Sequence, residues 1–128
     1  MRLPQIVVYE KDGRLKLQLE ALAEVRRWAL REARQPESCL AYLNQSGPAV
    51  VVIKAGRDLE CELGLLERAA WLYPDAAVVV VGDGDRPEWA GLAWDLGAAY
   101  VLLPPQARER LPEIVAGLMG EKAEAEKG

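Results

Sequence analysis

Three short apolar runs in this chain lack the polar alternation of a strand that faces solvent on one side. They are Ala49 to Ile53, Ala77 to Val81 and Ala99 to Leu103. A strand without such alternation is covered by other structure on both faces, as in sheets whose strands run parallel. Segments with helical spacing lie between the runs, and strands that alternate with helices indicate a parallel sheet with helices on both sides. The pattern therefore predicts an α/β domain.

Five strand–helix units are predicted within residues 1–120. Their number and order predict a flavodoxin-like, doubly wound sheet of five parallel strands with strand order 2-1-3-4-5. In that fold, sites form at the carboxyl ends of the strands, near the switch point between the first and the third strand. We expect residues 1–120 to form a single domain and the charged residues 121–128 to form a frayed tail.

The first third of the chain allows two interpretations. Gln5 to Tyr9 predicts a buried strand. The leucines that follow have helical spacing: Leu15, Leu19 and Leu22. We favour a helix here because good helix formers continue the pattern, but alternating leucines also permit a hairpin from Gln5 to Leu19. Residues 25–30 either continue this helix or form a second, shorter strand.

Capping residues mark the later helices. Pro36 and Pro87 suit first-turn positions, and Asp58 suits the N-cap of a helix from Leu59 to Leu72. The expected buried stripe of that helix is Leu59, Leu63, Leu66 and Ala70. Gly97 suits the position after a helix end, and residues 106–119 predict the final helix.

Composition excludes several classes of function. The net charge of −4 provides no general attraction to nucleic acid or to an anionic membrane. The sequence has no histidine, which excludes Ser–His and Cys–His catalysis and most zinc sites. No metal or other cofactor is predicted.

The cysteines and the first residues of the chain predict a cellular location. Cys39 and Cys61 show no CxxC or Cys/His spacing, so we expect reduced cysteines in a cytoplasmic protein. Residues 1–4 lead straight into a strand-like run, so no signal peptide is expected. Abundant Arg, Glu, Pro and Leu, with a single asparagine, are compatible with a thermophilic source.

The residues at the predicted strand ends carry a family resemblance. They are Tyr9-Glu10 after the first strand, Lys54 after the third, Gly82 after the fourth and Pro104-Pro105 after the fifth. Their spacing, together with the run from Gly97 to Leu102, resembles that of the receiver domains of response regulators, the CheY-like domains. The resemblance covers nearly the whole chain. It is specific from Ala49 to Met119 and weak from Leu15 to Leu43.

The resemblance implies a known chemistry that this chain lacks. Receiver domains usually carry paired acids after the first strand, a phosphate-accepting Asp after the third, Ser or Thr after the fourth, and Lys-Pro after the fifth. Here only Glu10 remains of the acids, Lys54 replaces the acceptor, Gly82 lacks the hydroxyl and Pro104 lacks the amine. Phosphoryl transfer to the protein needs a carboxylate nucleophile, and Mg²⁺ needs several oxygen ligands. Asp58 lies beyond the strand end and is a poor substitute acceptor. We therefore expect a degenerate receiver, or pseudo-receiver, that is not an enzyme.

Two further expectations concern the same strand ends. Lys54 and Glu10 should end adjacent strands, so that the ammonium group pairs with the carboxylate. Receivers often have a cis peptide bond after their lysine, and an X-Pro bond makes the cis form cheap. The bond between Pro104 and Pro105 is therefore expected to be cis.

The function that the resemblance implies is protein contact through the fourth helix, the fifth strand and the fifth helix. The expected contact residues are Trp89, Trp94, Tyr100, Arg108 and Arg110. Trp94 falls outside the apolar stripe of its helix, so it either anchors an interface or packs on a neighbouring loop. The resemblance implies a homodimer or a signalling partner, whose identity the sequence does not reveal.

A second class of function uses the strand ends as a ligand site. Gly82-Asp83-Gly84-Asp85 is typical of a turn, but Glu10, Lys54, Asp83 and Asp85 could converge there. A small-ligand or nucleotide-binding domain, with or without enzymatic activity, is therefore the alternative. An open cleft at the strand ends would favour it, whereas a filled cleft beside an exposed apolar helix face would favour the interaction module.

Overall fold

Strands and helices alternate from Gln5 to Lys127 in the computed structural model, which describes residues 4–45, 49–83, 87–104, 106 and 108–127. The strands are β1 (Gln5–Tyr9), β2 (Ala29–Ala33), β3 (Ala49–Ala55), β4 (Ala77–Gly82) and β5 (Tyr100–Leu102). The helices are α1 (Arg14–Arg26), α2 (Pro36–Gln45), α3 (Leu59–Leu72), α4 (Pro87–Asp95) and α5 (Leu111–Lys127), and a 3₁₀ turn spans Arg108–Arg110.

The strands form one parallel sheet in the order β2-β1-β3-β4-β5, which confirms the predicted flavodoxin-like, doubly wound fold. Helices α1 and α5 contribute to the core on one face of the sheet. Helices α2, α3 and α4 contribute to the core on the other face. Strands β3 and β4 are therefore covered on both sides, and this burial is the physical reason for their unbroken apolar runs.

The register of the central strands decides which residues meet at the carboxyl edge of the sheet. Tyr9 of β1 lies opposite Ile53 of β3, and Ala55 of β3 lies opposite Gly82 of β4. Lys54 therefore stands near the ends of both neighbouring strands. This is the edge at which a doubly wound sheet forms its sites.

The first third of the chain contains a helix and not a hairpin, as favoured from the sequence. Helix α1 ends at Arg26 and β2 begins at Ala29, so each interpretation of residues 25–30 holds for part of that segment. Arg27 follows α1 in the left-handed conformation, with φ of 60°, and its N–H bonds to carbonyls of the last turn. This cap ends the helix and turns the chain into β2.

The later helices confirm some of the predicted boundaries and correct others. Asp58 is the N-cap of α3, because its carboxylate accepts a hydrogen bond from the Cys61 N–H at 3.2 Å. Gly97 follows α4 with φ of 114°, as its predicted position requires. Helix α5 begins at Leu111 and not at residue 106, because the 3₁₀ turn precedes it. The helix runs to Lys127, and the division of the chain at residue 120 stays a prediction.

The state of the cysteines and the length of the helices are relevant to the cytoplasmic location expected from the sequence. Both cysteines are free thiols, and burial raises the pKa of the Cys39 thiol to about 12, so that it stays protonated near neutral pH. Within the described part of the chain, no helix has the length and apolar character that crossing a bilayer requires.

Candidate functional site

The carboxyl ends of β1, β3 and β4 border a cleft of about 470 Å³, which we call the strand-end cleft. It is lined by residues from the three strand ends and the loops after them, among them Tyr9, Glu10, Lys54, Gly56 and Asp83, and by Trp89 of α4. The cleft is thus open. Its charged side chains, however, are bonded to other parts of the protein, as the following contacts show.

Glu10 is buried and caps helix α1. Its two carboxylate oxygens accept hydrogen bonds from the backbone N–H groups of Leu15, at 3.0 Å, and Lys16, at 2.9 Å. Burial raises the pKa of Glu10, although the two backbone donors oppose the rise and the nearby Asp12 adds to it. The remaining member of the expected acid set therefore satisfies the first turn of a helix.

Lys54 pairs with Asp83 and not with Glu10. Its ammonium nitrogen lies 2.5 Å from the Asp83 carboxylate, so the expected Lys54–Glu10 pair is wrong. The reason is that the carboxylate of Glu10 is directed to the start of α1, whereas the chain after β4 places Asp83 over Lys54.

Arg108 completes this cluster from the opposite end of the sequence. Its guanidinium bonds the same Asp83 oxygen and also donates to the Gly82 carbonyl at 3.2 Å. Gln18 of α1 in turn donates to the Arg108 carbonyl at 2.6 Å. The hydrogen bond from Lys54, followed by that from Arg108, lowers the pKa of Asp83, so this carboxylate stays ionised. We call Lys54, Asp83 and Arg108 the ion triad.

Gly82 has no room for the hydroxyl side chain that the receiver resemblance would place there. A Cβ on Gly82 would lie 2.5 Å from Leu103 Cδ2 and 2.8 Å from Trp89 Cζ2. Real Cβ atoms do not approach other heavy atoms so closely, and the indole of Trp89 is itself buried. The space beside the end of β4 is therefore filled by carbon atoms.

The loop after β3 is held by a second buried acid. Glu62 of α3 accepts from the Gly56 N–H at 2.8 Å and from the Asp58 N–H at 3.3 Å. The Tyr9 hydroxyl lies 3.7 Å from Sγ of Cys61 in α3. Burial, followed by this hydrogen bond, raises the pKa of Tyr9, so the phenol stays protonated.

These contacts limit the chemistry of the cleft. Among the residues that the structure describes, no three His, Cys, Asp or Glu side chains are grouped so that they could hold a metal ion. Tyr9 is a protonated phenol, and the carboxylates of Glu10 and Asp83 accept bonds from within the chain. Asp85 of the alternative ligand site and Pro105 of the expected cis bond lie outside the described residues.

The expected contact residues separate into three places. Trp89 is buried in the core below the cleft, so its expected role in an interface is wrong. Arg108 is part of the ion triad and is not on the outer side of the last helix. Trp94 is 48% exposed and meets the Tyr100 ring edge-on, with centroids 6.1 Å apart. With the exposed Arg110, these two rings define what we call the α4–β5–α5 face.

The structure also reveals an apolar surface that the sequence analysis missed. Trp71 at the end of α3 is 84% exposed, because α3 buries Ala69 where the expected stripe had Ala70. A groove of about 580 Å³ lies between the ends of α3 and α4. We call it the α3–α4 groove. The signal in the sequence was a tryptophan next to the predicted stripe, on the last turn of a helix.

Comparisons with solved structures identify the fold. The chain is similar to a response regulator from Thermotoga maritima, with a TM-score of 0.78 and 19% identity over 92% of this chain and 98% of that one. It is equally similar to a CheY-like receiver domain protein from Methanospirillum hungatei JF-1, with a TM-score of 0.78 and 18% identity over 96% and 98%. The structural neighbours are thus response-regulator receiver domains, and this chain has their fold.

One longer neighbour was solved with a nucleotide. NtrX from Brucella abortus in complex with ATP has a TM-score of 0.74 and 21% identity over 99% of this chain. The match spans 28% of the length of that NtrX chain. No protein-family model matches the sequence, and no curated protein matches it significantly.

Proposed function

We propose that this domain is a non-catalytic signalling module that binds a protein partner through the α4–β5–α5 face without phosphorylation. The carrying observation is the ion triad, in which the ammonium group of Lys54 is bonded to Asp83 at the end of β3. In the receiver resemblance this strand end holds the carboxylate that accepts the phosphoryl group. An amine that is already paired with a carboxylate cannot replace that nucleophile.

Two further contacts support the absence of the phosphorylation chemistry. The Glu10 carboxylate is bonded to backbone N–H groups, so both of its oxygens are already hydrogen-bond acceptors. A fixed ammonium ion at the β3 end also repels a divalent cation that would need several oxygen ligands there. The charged groups at this site thus form internal ion pairs, whereas a receiver domain would react there with a phosphoryl donor.

The α4–β5–α5 face supports the binding part of the proposal. Trp94 exposes about half of its surface, and tryptophan is enriched where proteins bury surface against each other. Its edge-on contact with Tyr100 holds the indole in place, so little rotamer freedom is lost when a partner covers it. The ion triad fixes the start of the turn before α5 to the end of β4, which keeps this face in one arrangement.

A second candidate, a small ligand in the strand-end cleft, is favoured by the volume of that cleft alone. A cavity of about 470 Å³ is within the range of ligand sites. Against it, Glu10, Lys54 and Asp83 are bonded internally. The ATP complex of the Brucella NtrX makes a nucleotide the first ligand to test.

The chemical test is incubation with acetyl phosphate and Mg²⁺, followed by intact-mass analysis. We expect no adduct on this protein and a one-phosphoryl adduct on a receiver domain that retains its acceptor aspartate. A stoichiometric adduct on a cleft carboxylate would overturn the proposal. Calorimetric titration with ATP tests the alternative: stoichiometric binding that Lys54→Met abolishes would favour the ligand site instead.

The binding test compares two variants on the same affinity support with extract from the source cells. A partner retained by the wild type should be lost with Trp94→Ala, which removes the indole from the face. The same partner should be retained by Lys54→Ala, which changes the cleft but leaves the bonds from Arg108 to Asp83 and to the Gly82 carbonyl in place. Loss with Lys54→Ala and retention with Trp94→Ala would contradict the proposed face.

A further inference from the structure

The α3–α4 groove lies at the opposite end of the domain from the strand-end cleft. It is lined by residues from the last turns of α3 and from the end of α4: Glu67, Arg68, Trp71, Leu72, Asp95 and Leu96. In this fold the helices run antiparallel to the strands, so the carboxyl ends of the helices lie at the amino edge of the sheet. The groove therefore shares no residue with the cleft.

The floor of the groove is closely packed. A Cβ on Gly97 would lie 2.6 Å from the Ala70 Cβ, which shows how closely the chain after α4 approaches α3. Ala69, one residue earlier, is fully buried. The backbone that carries the apolar side chains at this junction is therefore closely packed, so no backbone ordering is needed when a partner covers them.

Two large apolar side chains of the groove are exposed to solvent. Trp71 is 84% exposed and Leu72 is 54% exposed. An indole that is covered by a partner contributes roughly 200 Å² of buried surface. This is about a quarter of the area that each protein contributes to an interface of standard size, so the groove suits a small, reversible contact.

The charges around the groove are of both signs. Within the described residues, Glu67, Arg68 and Asp95 have no ion-pair partner. Neither α3 nor α4 has a basic residue in its last turn, and α4 ends at Asp95. The carboxyl end of a helix carries a partial negative charge that favours a cation. The negative charge of Asp95 at this helix end would therefore be stabilised by a positively charged group from a partner.

We propose that the α3–α4 groove binds a second copy of this chain in a two-fold symmetric contact. One groove carries both an apolar anchor, Trp71, and charges of both signs, which is what a self-complementary surface requires. In such a contact Arg68 of each copy lies against Asp95 of the other, and the two Trp71 rings are covered together. The pairing supplies the cation that the end of α4 lacks. This proposal goes beyond the proposed function, which uses a different face.

Sedimentation velocity over a concentration series, from micromolar to near-millimolar, tests the contact. We expect the wild type to dimerise reversibly within this range, and Trp71→Ala to weaken the dimer at least tenfold. Trp94→Ala, which removes an indole from the α4–β5–α5 face, is the matched control and should leave the dimer unchanged. Circular dichroism and urea unfolding of each variant establish that it is folded.

Charge reversal tests the predicted pairing directly. Arg68→Glu and Asp95→Arg should each weaken the dimer when alone, because each sets like charges against one another. An equimolar mixture of the two variants should form a heterodimer, since each copy then meets an opposite charge at both positions. The double variant should dimerise like the wild type.

Three results would overturn the proposal. These are a wild type that stays monomeric throughout the series, a dimer that Trp94→Ala and not Trp71→Ala disrupts, and charge reversals that the mixture does not rescue. The proposed function can fail separately, because it is judged by partner binding of Trp94→Ala and by the phosphorylation assay.

Discussion

The strand-end cleft and the α3–α4 groove differ in how their side chains are satisfied. In the cleft, Lys54 and Asp83 are paired with each other, and Glu10 is bonded to the backbone. In the groove, Trp71 is exposed and Asp95 has no ion-pair partner among the described residues. The charged groups of the cleft are thus bonded within the chain, while the groove exposes apolar and charged groups to solvent.

The largest expected difference between the two regions concerns their tryptophans. Trp89→Ala removes a buried ring below the cleft and should lower the free energy of unfolding by about 3–5 kcal/mol. Trp71→Ala removes an exposed ring in the groove and should change it by less than about 0.5 kcal/mol. Urea unfolding at a concentration at which the protein is monomeric gives both values. Similar losses for the two variants would show that Trp71 is part of the core.

The second prediction concerns the packing at the end of β4. Gly82→Ala should cost about 2 kcal/mol, because its methyl group meets the buried Trp89 ring and Leu103. Gly91→Ala in α4 is the matched control, since a Cβ there has no neighbour within 4 Å. The control should stabilise the protein by roughly 0.5–1 kcal/mol, as alanine does in helices. A Gly82 variant that is as stable as the control would mean that Trp89 and Leu103 are not closely packed against the end of β4.

The third prediction tests the structural role of Glu10. Glu10→Ala leaves two backbone N–H groups at the start of α1 without their acceptor and should cost about 2 kcal/mol. Glu10→Gln keeps one acceptor oxygen and should cost less. Glu20→Ala changes an exposed acid on the same helix and serves as the control. If Glu10→Ala and the control lose the same stability, the capping role is refuted.

The fourth prediction concerns the pairing of Lys54. A double-mutant cycle of Lys54→Ala and Asp83→Ala should give a coupling energy of about 0.5–1 kcal/mol. The value is modest because 70% of the Asp83 side chain is exposed, so solvent screens the pair. The cycle of Lys54→Ala and Glu10→Ala should be additive within about 0.3 kcal/mol. Additivity for Lys54 and Asp83, together with coupling between Lys54 and Glu10, would support the pair that was expected from the sequence.

The smallest expected effect is a pH dependence from Asp83. Its pKa is lowered in the folded protein from an ordinary value of 3.8, mainly by the hydrogen bond from Lys54. The stabilisation is therefore complete above pH 3.8 and is lost as the pH falls through the lower folded pKa. The stability difference between wild type and Asp83→Asn should shrink by a few tenths of a kcal/mol between about pH 6 and about pH 3. A difference that grows on acidification would contradict the direction of the shift.

Lys54 shows which part of the site could be predicted from the sequence and which part could not. The residue types at the ends of β3 and β4, Lys54 and Gly82, could be named because strand ends follow from unbroken apolar runs. The partner of Lys54 could not be named. Pairing across loops depends on the path of the chain after β4 and on Arg108, which bonds Asp83 from the 3₁₀ turn.

The exposed surface was predicted less well than the sheet. Successive residues of a helix are rotated by about 100° around its axis. The predicted buried stripe contained Ala70, whereas the structure buries Ala69, and this error of one residue concealed that Trp71 faces solvent. Trp89 was expected at a surface and is buried, because the ring fills the space that Gly82 leaves open.

The sequence by itself determined the fold, because burial on both faces leaves an unbroken apolar run in each central strand, and these runs alternate with segments of helical spacing. It also determined which groups are missing at the strand ends, since that is a matter of residue type alone. Only the tertiary structure decided which charges pair and which tryptophan faces solvent. Those outcomes depend on side chains that are far apart in the chain, such as Lys54 and Arg108, and on the rotation of each helix about its own axis.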